Sequence, residues 1–102
     1  MELALTGDPI DAERAYELGI VNRLAEPGGA LDAALGLAAE VARNGPLALK
    51  ASKQIVQRSG DWPEAEAWQK QGEIAGPVMV SEDAREGAIA FAEKREPQWR
   101  GR

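Results

Sequence analysis

Apolar residues recur along this chain at intervals of three and four, the spacing that gathers them on one side of a helix. Leu31, Ala34, Leu35, Ala38, Val41 and Ala42 predict an amphipathic helix over about 30–43. Leu49, Ser52, Ile55 and Val56 mark the buried face of a second helix, opened by Pro46 and ending near Gly60. Ala65, Trp68, Gly72 and Ala75 form the stripe of a third, and Ala84, Gly87, Ala88, Phe91 and Ala92 that of a fourth. Met1 to Leu5 reads as the end of a helix and Thr6-Gly7-Asp8-Pro9 as its stop. Ile20 to Leu24 breaks the helical period. Apolar and polar residues alternate there and some are β-branched, which predicts a short extended segment.

The punctuation between these stretches is explicit. Asp11 suits the N-cap of a short helix through Leu18, with Gly19 where a C-terminal glycine belongs. Pro27-Gly28-Gly29 is a turn, and Asn44-Gly45-Pro46 closes one helix and opens the next. Asp61 and Glu64 have the spacing of a capping box, and Gly76-Pro77 is expected to kink or end the helix that follows. Ser81 is the next N-cap, with Glu82 and Asp83 in the first turn where the helix dipole favours anions. Lys94 and Arg95 stand at the cation-favouring end, before Pro97. The predicted order is helix remnant, short helix, extended segment, four helices and a tail, with no repeat. At 102 residues this is one domain or part of one. Opening on the last turn of a helix gives the chain a truncated look, because so short a helix is not stable alone. The expected division is 1–24, the end of a preceding core, and 25–102, a helical segment with its tail.

Composition narrows the chemistry. Net charge is −5, from 17 acidic and 12 basic residues, which argues against a general nucleic-acid binder. The one basic spot is C-terminal: Lys94, Arg95, Arg100 and Arg102. With no Cys and no His, disulfides, the usual zinc sites and Cys or His catalysis are excluded. The lack of Cys fits a reducing compartment such as the cytoplasm without requiring it. No stretch approaches ~20 apolar residues and no basic n-region precedes an apolar run, so no membrane span or leader is expected.

Catalytic motifs are scarce. A working carboxylate usually sits in a partly apolar pocket that raises its pKa. Asp11, Glu13, Asp61, Glu64, Glu82 and Asp83 lie instead at helix starts, where capping and solvation explain them. Trp62, Trp68 and Trp99 are large hydrophobes first, so core and subunit packing is favoured over stacking on a ligand. Lys94 and Arg95 suit a phosphate, yet cations at a helix C-terminus are expected for dipole reasons alone.

Three stretches together resemble the C-terminal third of the enoyl-CoA hydratase/isomerase (crotonase) superfamily. Leu3-Ala4-Leu5-Thr6-Gly7-Asp8-Pro9 through Gly19-Ile20-Val21-Asn22 is similar to the family's helix, L-T-G, short helix and G-L-V-N. Asn44-Gly45-Pro46-Leu47-Ala48 through Lys50 and Lys53 is similar to its helix opened by a small residue and Pro. Ser81 through Pro97 resembles its closing E-G-x-x-A-F-x-E-K-R-x-P. The resemblance implies a mainly α fold: the C-terminal helical, trimerisation part of a crotonase-like fold, without the N-terminal ββα spiral. It implies that oxyanion-hole amides and catalytic glutamates lie upstream, so no catalytic residue and no metal ligand is assigned here. By motif position, Lys94 of Glu93-Lys94-Arg95 matches the lysine that reaches the phosphates of coenzyme A.

The expected function is therefore that of a fragment of an enoyl-CoA hydratase-like protein, inactive by itself. The parent would hydrate a 2-enoyl-CoA in fatty-acid metabolism, with the CoA thioester as substrate and no covalently bound cofactor. Expected partners are copies of itself, as a trimer or dimer of trimers in the parent, and acyl-CoA, with neither nucleic acid nor membrane. The alternatives are a non-catalytic helical oligomerisation module and an isomerase parent.

Overall fold

The structure, a computed structural model, describes residues 1–102 and contains α-helices and no strand. The helices are α1 (Glu2–Thr6), α2 (Ala12–Glu17), α3 (Ala30–Ala42), α4 (Pro46–Ser59), α5 (Glu64–Met79) and α6 (Glu82–Glu93). None is long and apolar enough to cross a membrane. The chain divides into two units, Met1–Ala39 and Glu40–Arg102.

In the first unit the predicted stops and caps are in place. α1 ends on Gly7 in the left-handed region, its N–H donating to the Leu3 carbonyl at 3.1 Å. At the start of α2 the Asp11 carboxylate accepts from the Arg14 N–H at 2.7 Å, satisfying an otherwise unpaired first-turn donor. α2 ends on Gly19, with φ +70°. The Gly19 N–H donates to the Tyr16 carbonyl at 3.0 Å and the Ile20 N–H to the Ala15 carbonyl at 2.9 Å. The segment expected to be extended, Ile20 to Leu24, instead bends at Ile20, Val21 and Asn22. The Ile20 and Val21 amides turn back onto Ala15, and no neighbouring strand is present to pair with them. In α3 the half-buried positions are Ala33 and Leu37, while Leu31, Leu35 and Val41 of the expected stripe are exposed.

In the second unit α4 packs on α5, and α5 on α6. The buried apolar side chains are alanines, Ala51 and Ala90, which let elements approach closely. α5 turns Ala67, Gln71, Ile74, Ala75 and Val78 inward and leaves Trp68 81% exposed. Val56 of α4 and Phe91 of α6 are likewise exposed. The apolar stripes expected on these three helices are thus partly the outer faces. Periodicity locates an apolar stripe but does not identify what covers it.

Two local expectations need correction. The Asp61–Glu64 capping box does not form: Pro63 takes the N-cap position of α5 and no side chain caps it. A proline disfavours helical conformation at the residue before it, so Trp62 cannot open the helix as that box requires. Gly76-Pro77 does not end α5 on the spot, since the helix continues to Met79. Gly76 has no Cβ to clash with the proline ring, and α5 ends two residues beyond Pro77.

Candidate functional site

The site is built around α6 and the tail behind it. Ser81 opens the helix as predicted, its Oγ accepting from the Ala84 N–H at 3.0 Å. Its hydroxyl also donates to the Val78 carbonyl at 2.7 Å, which fixes the α5–α6 corner.

At the other end, Lys94 lies in the left-handed region with φ 54° and ψ 40°. Its N–H donates to the Phe91 carbonyl at 3.3 Å, and the Arg95 N–H donates to the Ala90 carbonyl at 3.0 Å. That pair of bonds is a Schellman motif, whose left-handed position is usually glycine. A side chain there costs about 1 kcal/mol, because Cβ crowds the following carbonyl. Lys94 is the one non-glycine residue of the chain with positive φ.

Beyond Lys94 the chain is tied back to α6. Nη1 and Nη2 of Arg95 donate to the two carboxylate oxygens of Glu86, at 2.6 and 3.1 Å. Nε of Arg95 donates to Glu93 at 2.7 Å, and Nη1 also reaches the Glu96 carbonyl at 3.2 Å. Glu86 Oε1 further accepts the Gln98 N–H at 2.8 Å. Hydrogen bonds from Arg95 first, then from the Gln98 amide, hold the Glu86 pKa down to about 2. The same pairing, with Glu86 first and Glu93 second, raises Arg95 above its ordinary value.

Farther along, Asp83 secures the end of the tail. It is 4% exposed, and its carboxylate accepts the Arg100 N–H at 2.7 Å and the Gly101 N–H at 2.9 Å. Its own N–H, an orphan donor of the first helical turn, donates to the Arg102 carbonyl at 3.0 Å. Trp99 completes the strap. Its indole N–H donates to the Arg43 carbonyl at 2.8 Å, and its ring lies over Gly45 and Gly87. A Cβ on Gly87 would sit 3.1 Å from that ring, so the missing side chain makes room for the indole.

These contacts redistribute the expected basic spot. Arg95 is held by Glu86 and Glu93, and Arg102 pairs with Glu82 at 3.0 Å. Lys94 takes no part in those pairs and is exposed. An open groove of about 390 Å³ runs beside Glu82, Arg85, Glu86 and Arg100. The Glu82 and Glu86 carboxylates along it already hold Arg102 and Arg95. The Glu86 shift is downward, opposite to what a general acid at neutral pH requires. Of the three tryptophans, Trp62 and Trp99 are half-buried and Trp68 is exposed.

Reasoning from sequence missed the tail-holding roles of Asp83, Glu86 and Trp99. Asp83 fits a helix start for dipole reasons alone, and Glu86 and Arg95 are nine residues apart, not a helical spacing. The pairing of Trp99 with two glycines is the signal available in hindsight.

Known proteins resemble this chain over its whole length. The enoyl-CoA hydratase/isomerase family model matches residues 1–102. A carnitinyl-CoA dehydratase of Citrobacter koseri is 40% identical over 105 residues, covering 99% of this chain and 40% of the relative. An enoyl-CoA hydratase of Mycobacterium tuberculosis is 41% identical over 101 residues, covering 99% and 38% respectively. Among solved structures, an enoyl-CoA hydratase from M. tuberculosis H37Rv superposes with TM-score 0.98 at 57% identity, over 100% of this chain and 40% of that one. The chain thus spans about 40% of the length of such relatives and corresponds to the C-terminal helical part of their fold. From these matches, this chain belongs to the enoyl-CoA hydratase/isomerase family.

Proposed function

We propose that this chain is the helical segment of an enoyl-CoA hydratase that adds water across a 2-enoyl-CoA thioester, and that Lys94 binds the nucleotide phosphates of the coenzyme. The end-to-end match to residues 1–102 carries the first part. In such chemistry backbone amides polarise the thioester carbonyl and glutamates deliver water and a proton. This segment supplies neither. Its part is to hold the far end of the substrate. The left-handed Lys94 supports that role, since glycine would make the same turn without strain and lysine adds only its side chain.

A crotonyl-CoA assay tests the division of labour. The purified 102-residue chain is expected to show no hydration above buffer, and activity copurifying with it would overturn the proposal. In the full-length enzyme carrying this segment, Lys94→Ala is expected to raise KM about fivefold, roughly 1 kcal/mol, with kcat unchanged. Nucleotide contacts lie far from the reacting carbon and contribute mostly uniform binding. The effect should shrink in high salt, because an exposed ammonium–phosphate contact is screened. An unchanged KM at low salt removes Lys94 from the site. Product analysis separates hydration from double-bond migration.

A specific observation also favours self-association. Val56, Trp68, Met79, Val80 and Phe91 are each at least 76% exposed, an unusual number of large apolar side chains to leave in water. Sedimentation is expected to show an oligomer, and a clean monomer into the millimolar range would count against this.

A further inference from the structure

We infer that Glu86 is a positioning residue for Lys94: its carboxylate clamps the chain on the far side of the left-handed turn and so aims the lysine ammonium. The inference rests on the reading of Lys94 as the phosphate-binding cation.

A strained left-handed residue persists only where its surroundings over-determine it. Lys94 takes no part in the ion pairs around it, so its side chain does not supply the restraint. The restraint comes from residues 95–98. The Arg95 N–H closes on Ala90, and the Arg95 fork closes on Glu86 through two bonds. The Gln98 N–H reaches the same carboxylate. Two points of the chain after Lys94 therefore converge on one side chain, about two turns back along α6. A bidentate guanidinium–carboxylate pair fixes direction as well as distance. The strap beyond is anchored separately, by Asp83 and Trp99. Loss of the Glu86 charge is thus expected to free the turn without detaching the tail. Glutamine keeps the shape of Glu86, but its amide NH₂ faces a guanidinium donor and cannot replace the second bond.

The test is a double-mutant cycle in the full-length enzyme carrying this segment, with KM and kcat for crotonyl-CoA at low salt. Glu86→Gln is expected to raise KM about threefold, less than loss of the ammonium itself, with kcat unchanged. In a Lys94→Ala background the same substitution should leave KM where Lys94→Ala put it. A Glu86→Gln effect of equal size in both backgrounds, or one confined to kcat, would overturn the inference while leaving the Lys94 reading intact. If Lys94→Ala alone leaves KM unchanged, both fall together. Backbone chemical shifts of Lys94 in the full-length enzyme carrying this segment provide a readout independent of activity. Glu86→Gln should shift them away from left-handed values, and left-handed shifts that persist would defeat the inference. Should Glu86→Gln fail to fold, Glu86→Asp retains the charge but is one methylene too short to span the fork, and the same outcomes apply.

Discussion

α2 and α6 end in the same way with different residues. At each end the left-handed residue donates to the carbonyl three back, and the next residue donates to the carbonyl five back. At α2 the left-handed residue is Gly19, at φ +70°, with open space where a Cβ would be. At α6 it is Lys94, at φ 54°. The glycine turn is held by local hydrogen bonds alone. The lysine turn is followed by a clamp on Glu86, a latch on Asp83 and an indole seated between two glycines. Local geometry sets the shape of such a turn. Whether a side chain is tolerated in it depends on contacts made beyond it.

Four changes would break or sharpen that contrast. The largest effect is expected from Trp99→Ala, which removes a half-buried indole and its bond to the Arg43 carbonyl. A loss of about 2 kcal/mol is expected in denaturant unfolding, below the cost of deleting a fully buried tryptophan. Faster hydrogen exchange at Arg100 and Gly101 should accompany it. Unchanged protection there would mean the tail is held by Asp83 alone. Next is Gly19→Ala, expected to cost about 1 kcal/mol through backbone strain. Its signature is faster exchange at Ile20 with Arg95 unaffected. Lys94→Gly is the mirror experiment. Relief of strain outweighs the added freedom of the unfolded chain, giving a gain of roughly 0.5 kcal/mol. A net loss would show that the lysine side chain supports the fold.

The smallest effect is acid release of the Glu86 clamp. Its folded pKa of about 2 lies below the ordinary value of 4.5, so the carboxylate binds protons less readily in the folded state. Its stabilisation is complete above about pH 4.5 and is lost as pH falls through about 2. Protection of the Gln98 amide should therefore decline between those limits, while the Gly19 hydrogen bonds, which involve no carboxylate, remain. A decline complete by pH 4 would contradict the clamp.

The helices of this chain were legible because their ends are written in residue types. Asp11 and Ser81 cap as their chemistry requires, and Gly19 and Pro46 stand where backbone geometry favours them. The inward faces were less legible. Trp68 dominates an apolar stripe yet points outward, while the close packing relies on Ala51, Ala90, Gly45 and Gly87, which carry little hydrophobic signal. The strap could not be read at all. Its bonds join side chains to backbone groups 12 to 56 residues away, and no sequence period encodes such pairs. Lys94 was singled out by motif position, whereas the strain that marks it is a property of the folded backbone.

The loops closed by the strap differ in length, and that predicts an order of assembly for the second unit. The Asp83 contacts close loops of 17 and 18 residues, whereas the Trp99 bond to Arg43 closes one of 56. The longer closure carries an extra entropic cost of about 1 kcal/mol. The Asp83 contacts between α6 and the tail are therefore expected to close before the indole reaches the Arg43 carbonyl. In a folding experiment the Arg100 and Gly101 amides should become protected ahead of burial of the Trp99 ring, and on unfolding the indole should be released first.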